Sequence, residues 1–575
     1  MYQGQQVAEK RLGLWLALII MLVLIVGCAS APASPSAGQG ASQAANPPAQ
    51  APAQSAAPQQ QAPAAQQQAP AQGQASADGC GKEVIIGING DGQSVNPLYG
   101  SDSSTVARTD AISEPLVFLD AKTMQPIPWL AKSWDVSSDG TTYTFKLQDG
   151  PKWPDGKPLT AQDFEFTLLT ILSKDYTGPW QSLFSDLVGA DKVMAGSATS
   201  LDGVKVVDDK TLQLKLNKPN AAFLANAVRN LKPIPRHILE GQKLTAEHPF
   251  MQNPVGVGPY RVLEWVKGDH LTLEAKPDYW GTPVCAKRIT ERIIPDMNAL
   301  GLALESGNVD QMNPLEPRFV TRFKTNQDIA VYDHPTRSLD AIYFNFKNPT
   351  LADPRVRQAI AMSLNMEEFS QKVLGGIQAP VLNPLLKSSW AFDPSLKQPA
   401  PDLEKAKALL AEAKVPADFS VKIRTNAGNT TREQMATYLQ AQMQKLGLKA
   451  DVELQEWSTF IGGVTQGNFD IVVLSSNGGI PDPDTLYGDY HTKGSTNYGK
   501  YSNPELDKVL EQARGTNDME QRKKLYQQAQ QILVKDVPRV WAYEYLFSVA
   551  ARKNISNITP SSLGPMWDAR AWHKQ

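Results

Sequence analysis

The sequence contains few of the residues that metal sites and nucleophilic enzymes require. Among its 575 residues there are only three cysteines and six histidines. No two histidines lie within a helical turn of each other, and neither an HExxH motif nor a CxxC pair occurs, so the sequence does not support a zinc or haem site. A phosphate-binding GxxxxGK[ST] loop and a GxSxG nucleophile elbow are also missing. The sequence therefore favours a protein that is not an enzyme, and we expect neither a cofactor nor a metal ion.

Two weak motifs leave this expectation unchanged. The GVG at residues 256–258 is followed by Pro259, where a dinucleotide-binding turn requires a further glycine and a helix. We interpret it as a tight turn that leads into a strand. The three aspartates between residues 482 and 489 loosely resemble a calcium loop, but Pro483 and the missing later glutamate break the EF-hand pattern.

The chain has no large excess of charge of either sign. Its 56 Lys+Arg residues against 58 Asp+Glu residues give a formal net charge of −2. Nucleic-acid-binding domains usually carry a basic patch or a high isoelectric point. We therefore expect no nucleic-acid partner.

A long apolar run lies at the N-terminus. Basic residues at 10–11 precede an apolar stretch from Leu12 to Val26, which ends at Gly27-Cys28. A membrane-spanning helix needs about 17 to 25 apolar residues, whereas a secretory signal peptide has a shorter apolar core that ends at small residues. We predict that residues 1–27 are a signal peptide, and the IVGC sequence that ends at Cys28 resembles a lipobox, in which the cysteine becomes lipidated. The alternative is an uncleaved anchor helix, which leaves the rest of the chain on the same outer side of the membrane.

Residues 28–79 consist almost wholly of Ala, Pro, Gln, Ser and Gly. Such a segment has too little apolar surface to offset the loss of chain entropy, so we predict a disordered tether. Roughly 490 residues remain from Lys82 onward, which is too many for one ordinary core and predicts two or three lobes.

Two cysteines remain when Cys28 is set aside. In an exported chain an even remainder favours a disulfide, so we expect Cys80 and Cys285 to be joined. Two unpaired buried thiols are the alternative.

The hydrophobic pattern changes along the folded part. Short alternating runs predict strands in the first half, at 83–89, 142–147, 211–216, 260–266 and 271–275. After about residue 350, helical patterns alternate with single strands at 420–425, 449–455 and 469–475, and a late strand is predicted at 539–546. Asp353 and Asn365 have the spacing of helix caps. This alternation predicts an α/β protein with a mostly parallel sheet in its second half.

Several segments resemble the family 5 extracellular solute-binding proteins of ABC importers, the family of oligopeptide-, dipeptide- and nickel-binding proteins. They occur in family order from about residue 83 to 550 and include NPLYGSDSSTVARTDAISEPLVFLD (96–120), NPVGVGPYRVLEW (253–265), PRVRQAIAMSLNMEEF (354–369), QEWSTFIGGVTQGNFDIV (455–472) and YSNPELDKVLEQAR (501–514). The shared order is stronger evidence than any one motif. The resemblance implies a periplasmic-binding-protein-like fold, in which two α/β lobes are joined by a hinge and the first lobe carries an extra subdomain.

The resemblance also implies a division of the chain. We expect lobe I to comprise residues 80–118, 205–285 and 538–575, the extra subdomain residues 119–204, and lobe II residues 286–537.

A ligand site in lobe II follows from the same resemblance. Peptide-binding members have a tryptophan after a Gln-Glu pair that lines the ligand pocket, and Trp457 stands at that position. They also have a second tryptophan, followed three residues later by an aspartate that pairs with the N-terminal amine of the peptide. Ser476 and Gly479 stand at those two positions here. The ligand site is therefore expected at Trp457, Asn477 and Gly479, without the usual amine contact.

Other residues are candidates for the cleft. Three aspartates in predicted loops at strand ends offer a replacement charge, and three further side chains are candidate ligand contacts. These six residues are Asp91, Asp482, Asp484, Phe166, Tyr343 and Asn345. The alternative for each aspartate is a helix cap or a turn, and for the two rings it is core packing.

Together these features predict a membrane-anchored, extracytoplasmic receptor that closes two lobes on a peptide or peptide-like solute. The expected partners are the small-molecule ligand, an ABC permease with its ATPase subunits, and the outer face of the cytoplasmic membrane through the lipid on Cys28. We expect the receptor itself to be a monomer. The missing amine contact leaves open a non-peptide solute such as an oligosaccharide or a metal chelate. A secreted polysaccharide hydrolase is a further alternative, which requires two carboxyl groups about 5 to 9.5 Å apart across a cleft.

Overall fold

A computed structural model describes residues 80–575 apart from positions 93, 101–102, 335–337, 478–481, 545–546, 562 and 565. The predicted signal peptide, the predicted tether and Cys28 lie outside the described residues. In the described part of the chain, no helix is both long enough and apolar enough to cross a membrane.

The elements before the second half of the chain are mostly strands. From residue 83 to 215 they are β1 Glu83–Ile88, α1 Ser103–Ile112, β2 Val117–Leu119, β3 Pro126–Pro128, β4 Ala131–Val136, β5 Thr142–Leu147, α2 Ala161–Leu172, α3 Ala190–Met194, β6 Val204–Asp208 and β7 Thr211–Lys215, with a 3-10 helix at Gln181–Phe184. From residue 223 to 334 they are α4 Phe223–Asn226, α5 Arg236–Leu239, α6 Pro249–Gln252, β8 Tyr260–Val266, β9 His270–Ala275, β10 Arg288–Ile293, α7 Met297–Ser306, β11 Gln311–Leu315, α8 Pro317–Lys324 and β12 Ile329–His334, with a 3-10 helix at Val228–Asn230.

Helices and single strands alternate in the second half. From residue 338 to 544 the elements are β13 Ser338–Phe344, α9 Pro349–Ala352, α10 Pro354–Met362, α11 Met366–Lys372, α12 Leu403–Ala413, β14 Ser420–Asn426, α13 Thr430–Lys445, β15 Lys449–Gln455, α14 Trp457–Gln466, β16 Ile471–Asn477, α15 Thr485–Tyr490, α16 Pro504–Gly515, α17 Met519–Asp536 and β17 Arg539–Glu544. The chain closes with β18 Phe547–Arg552, β19 Ile555–Ser556, a 3-10 helix at Ala569–Ala571 and β20 His573–Lys574.

Three sheets carry the architecture. A seven-stranded sheet in the order β12-β18-β11-β1-β10-β9-β8 forms lobe I. A five-stranded sheet in the order β15-β14-β16-β13-β17 forms lobe II, and a four-stranded sheet in the order β4-β5-β7-β6 forms the extra subdomain. The α/β fold with two lobes and an added subdomain is therefore confirmed.

The sheet pairings correct the expected boundaries. β10 pairs with β1, β11 pairs with β18 and β12 pairs with β18, so lobe I extends to His334 instead of ending at residue 285. β17 pairs with β13, so residues 539–544 belong to lobe II. β6 and β7 pair within the four-stranded sheet, so the subdomain extends past residue 204. These errors share one cause, because a strand's sheet partner is set by tertiary pairing and not by its local sequence.

Local sequence explains several element boundaries. The side chains of Asp353 and Asn365 accept backbone hydrogen bonds at the start of α10 and α11, as their spacing predicts. Gly256 and Gly258 lie against the last carbonyl group of α1. A Cβ built on either glycine would lie within 2.6 Å of Ile112 backbone atoms, so this turn into β8 requires residues without side chains.

Lobe II buries both faces of its sheet. The central strand β13 alternates between two cores: Ile342 and Phe344 belong to the core on one face, and Ala341 and Tyr343 to the core on the other. The sheet is mixed, because β14, β15 and β16 are parallel while β13 runs opposite to its neighbours β16 and β17. The expected mostly parallel sheet is thus correct for all strands but β13.

The chain passes from lobe I to lobe II between β12 and β13, the first crossover, and returns between β17 and β18, the second crossover. β12 ends at the first crossover. β1, β10 and β11 run parallel to β12, so their carboxyl ends lie on the same side of lobe I as the end of β12. β13 begins at the same crossover. The other four strands of its sheet run in the opposite direction, so the carboxyl ends of β14 to β17 lie on the side of lobe II where β13 begins. We call these two sets of strand ends the crossover edges of lobe I and lobe II.

Cys80 and Cys285 form a disulfide in the structure, with Cα atoms 4.6 Å apart and a sequence separation of 205. The Gly81 N–H donates to the Cys285 carbonyl group at 2.9 Å. The start of the described chain is therefore fastened to the residues just before β10 in lobe I.

Removing this disulfide is expected to lower the free energy of unfolding by about 2 to 5 kcal/mol, because the bond restricts the unfolded chain. Guanidinium unfolding of the parent and of a Cys80→Ser/Cys285→Ser double variant measures the difference. Added reductant should lower the midpoint of the parent and leave that of the double variant unchanged. A parent whose unfolding does not respond to reductant contradicts the prediction.

Candidate functional site

Trp457 is exposed at the crossover edge of lobe II. It is the first residue of α14, directly after β15 and Glu456, and 48% of its surface is accessible. Its ring lies 6.0 Å from that of Phe460, which is fully buried. Ligands of α/β proteins bind outside the carboxyl ends of the strands, and an exposed tryptophan at such a place is suited to contact one.

A buried arginine lies beside the same strand ends. Arg432, in the first turn of α13, donates to Asp340 at 3.1 Å, to the Asn426 side chain at 2.8 Å and to the Ser475 hydroxyl group. The Ser475 hydroxyl group also donates to Asp340 at 2.5 Å. The cluster ties together β13, β14, β16 and α13. The sequence carried no signal for it, because Arg432 and Asp340 are 92 positions apart.

Ser476 faces the opposite side of β16. Its hydroxyl group donates to Asp489 at 2.6 Å, and Asp489 lies 3.2 Å from the Arg539 guanidinium. That guanidinium lies between the rings of Tyr343 and Tyr490, at 4.0 and 4.6 Å from their centroids. Tyr343 is only 1% exposed and packs within lobe II, so its role is core packing and not ligand contact.

Asp482 and Asp484 are each bound by two N–H groups of an arginine. Arg522 donates to Asp482 at 2.7 and 3.0 Å, and Arg514 donates to Asp484 at 2.8 Å through two different nitrogens. Burial raises the pKa of Asp484, and the hydrogen bonds from Arg514 oppose that rise. Both carboxylates thus have an arginine partner, and the hypothesis that either one replaces the missing amine partner stays a prediction.

Asp91 is held in the same way in lobe I. It accepts hydrogen bonds from Arg108 at 2.8 Å, from the Trp265 indole at 3.1 Å and from the Gly268 N–H at 3.1 Å. Burial alone would raise the pKa of Asp91, but the bonds from Gly268 and Arg108 hold it below its usual value. Its role is to fasten the loop after β1 to the β8–β9 hairpin.

Asn345 and Phe166 contact other parts of the protein. The Asn345 amide donates to the carbonyl groups of Gly467 and Phe469 at 3.0 and 2.5 Å. It follows the carboxyl end of β13, and β13 runs opposite to its neighbours, so Asn345 lies at the far end of the lobe II sheet. Phe166, on α2, packs against the core of the subdomain. Both make contacts within the protein, and their assignment as ligand contacts stays a prediction.

Two predicted site residues are not tested by these contacts. Asn477 is the last residue of β16 and pairs with Ser338 of β13, but its side chain and all of Gly479 lie outside the described residues. Among the residues that the structure does describe, no three His, Cys, Asp or Glu side chains group as metal ligands.

The Asp482→Asn variant is expected to lose about 3 to 5 kcal/mol of unfolding free energy, because it leaves Arg522 buried without a counter-charge. Asp202→Asn is the matched control, since its exposed carboxylate lies 3.6 Å from Lys192 and such pairs contribute about 1 kcal/mol or less. Chemical unfolding of both variants and of Asp482→Asn/Arg522→Met measures the coupling, and the double variant should lose less than the sum of its single changes. Parental stability of Asp482→Asn together with weakened ligand binding would instead make Asp482 a ligand contact.

The sequence is similar to one family of proteins along most of its described length. A family model described as bacterial extracellular solute-binding proteins, family 5, matches residues 125–498. The oligopeptide-binding protein AppA of Bacillus subtilis is 28% identical over 514 residues, which cover 86% of this chain and 91% of that protein. A dipeptide-binding protein of Escherichia coli is 27% identical over 510 residues, which cover 84% of this chain and 93% of that protein.

Solved structures agree with this similarity. The ABC transporter substrate-binding protein CtaP of Listeria monocytogenes superimposes with a TM-score of 0.76 at 28% identity, covering 86% of this chain and 99% of that one. AppA of Bacillus subtilis in complex with a nonapeptide gives a TM-score of 0.72 at 27% identity, with 86% and 99% coverage.

Proposed function

Because the chain belongs to the bacterial extracellular solute-binding proteins of family 5, we propose that it is the membrane-anchored receptor of an ABC importer, which closes on peptides or peptide-like solutes and delivers them to the permease. AppA and the Escherichia coli dipeptide-binding protein are peptide-binding transport proteins and not enzymes. Lipid on Cys28 holds the receptor at the outer face of the cytoplasmic membrane, and several acyl chains are needed for stable anchoring.

One observation carries the peptide-receptor proposal: an exposed tryptophan, Trp457, stands at the crossover edge of lobe II. Two lobes connected by short crossovers are suited to hinge closure around a ligand. An aromatic ring contributes contact area to a ligand without requiring one particular side-chain chemistry.

The buried charges of lobe II limit how the ligand can be bound. Four buried aspartates of lobe II pair with arginines: Asp340 with Arg432, Asp482 with Arg522, Asp484 with Arg514, and Asp489 with Arg539. Breaking any of these buried pairs to bind an amine would leave a buried arginine without its counter-charge. We therefore propose that the ligand is held chiefly by main-chain hydrogen bonds and by contact with Trp457, and not by an ion pair from its amine to these four aspartates.

Native mass spectrometry of the full chain, isolated from membranes in mild detergent, tests this function. We expect the protein to carry a mixture of short peptides, which can be released and sequenced, and the intact mass should show a chain that begins at an acylated Cys28. A sugar, a metal chelate or another single solute would keep the receptor function and overturn the peptide ligand. A chain that starts at Met1 without acyl groups would overturn the lipid anchor.

The Trp457→Ala variant should reduce the ratio of ligand-bound to free protein while the fold stays intact, because it removes an exposed contact surface. Truncating an aromatic anchor costs about 2 kcal/mol of binding free energy, which corresponds to roughly a thirtyfold weaker complex. Leu302→Ala, at a 58% exposed position of lobe I, is the control. An unchanged bound fraction in Trp457→Ala would remove this residue from the site.

A further inference from the structure

The extra subdomain touches lobe II across the lobe boundary. The Ala221 N–H, in the segment that follows β7, donates to the carbonyl group of Arg514 in α16 at 2.9 Å. The turn between β4 and β5 lies beside the same place, because a Cβ built on Gly140 would be 3.5 Å from the Asn517 side-chain nitrogen and 3.2 Å from Pro219. Two segments of the subdomain, 137–141 and 217–221, thus meet lobe II at residues 514–517.

Charge also acts across this boundary. Burial lowers the pKa of Arg514, the Asp484 carboxylate raises it, and Asp186 of the subdomain adds to that rise. Burial raises the pKa of Tyr143 in β5 to about 12, and the positive charge of Arg522 in α17 opposes that rise. The Tyr143 hydroxyl group donates to the Asn220 carbonyl group at 2.7 Å, next to the residue that bonds Arg514. Charged groups of the subdomain and of lobe II therefore act on each other near the contact that Ala221 makes with Arg514.

These two arginines are the ones that hold Asp484 and Asp482. Both aspartates lie between the end of β16 and the start of α15, at the side of lobe II where the strands end. Each arginine is bonded to its carboxylate through two nitrogens, so the pair moves as a unit. A displacement of this loop relative to the subdomain must therefore change the boundary contact.

We propose that the extra subdomain is a latch for lobe closure: segments 137–141 and 217–221 dock on residues 514–517, and Arg514 and Arg522 couple that contact to the Asp482–Asp484 loop. The inference rests on the proposed receptor function, which supplies the opening and closing of the lobes. One backbone hydrogen bond and a screened charge attraction make a weak contact, which suits a latch that opens in every transport cycle.

Distances between the subdomain and lobe II test the latch. Nitroxide labels on Thr199→Cys and Lys524→Cys, two exposed positions, report the separation in the full chain by double electron–electron resonance without added ligand. Labelling is done without reductant, so that the Cys80–Cys285 disulfide stays intact.

Two variants weaken the contact in different ways. Ala221→Pro removes the donated N–H, and Asp186→Lys reverses the charge that faces Arg514. Asp202→Lys makes the same charge change elsewhere in the subdomain, where the carboxylate faces Lys192 of the subdomain itself, and is the control.

Each boundary variant should lower the ratio of short to long separations about two- to tenfold, as expected for the loss of one hydrogen bond or one partly exposed charge pair. The control should leave the ratio unchanged. If both boundary variants match the control, the latch is overturned. The distances are measured without added ligand. The boundary variants can therefore differ from the control even if mass spectrometry shows that the ligand is not a peptide.

Discussion

Buried charge in lobe II has to be neutralised, and the rest of the site depends on how this is done. A buried ion costs several kcal/mol unless a partner and further hydrogen bonds compensate it. Lobe II meets this requirement with four arginine–aspartate pairs around the ends of its strands, which are Arg432–Asp340, Arg514–Asp484, Arg522–Asp482 and Arg539–Asp489. Buried ion pairs therefore hold segments of lobe II in place, while Trp457 remains exposed at its crossover edge.

Strand direction decides which residues reach the site. β13 enters lobe II from the first crossover and runs against its neighbours, so the strand ends that carry Asn426, Gln455 and Asn477 adjoin the crossovers. The same reversal places Asn345 at the opposite end of the sheet, where its amide bonds two carbonyl groups. In lobe I, Arg108 and the β8–β9 hairpin hold the loop after β1 through Asp91. Both crossover edges thus carry loops that are already hydrogen-bonded in place.

Besides the two crossovers, the extra subdomain adds a third, non-covalent connection to lobe II. Its hydrogen bond goes to the carbonyl group of Arg514, whose guanidinium holds Asp484, so the boundary contact and the loop at the crossover edge share one residue. A receptor of this kind has to open and close, and bistable contacts of this type convert small shifts at a site into lobe motion. The subdomain has its own four-stranded sheet, and the core packed on that sheet also includes lobe I residues such as Leu98 and Val257.

The sequence by itself determined the local structure and the family: the strands at 83–88 and 420–426, the caps at Asp353 and Asn365, and the colinear segments that identify a solute-binding fold. These features depend on residues that are neighbours along the chain. Only the tertiary structure decided that β10 to β12 belong to lobe I, and that Asp482 and Asp484 pair with arginines. The partners of Asp482 and Glu83 are 40 and 205 positions away, at Arg522 and Arg288. Hydrophobic period and capping motifs describe one segment at a time, so they carry no information about which distant segment a strand or a charge will meet.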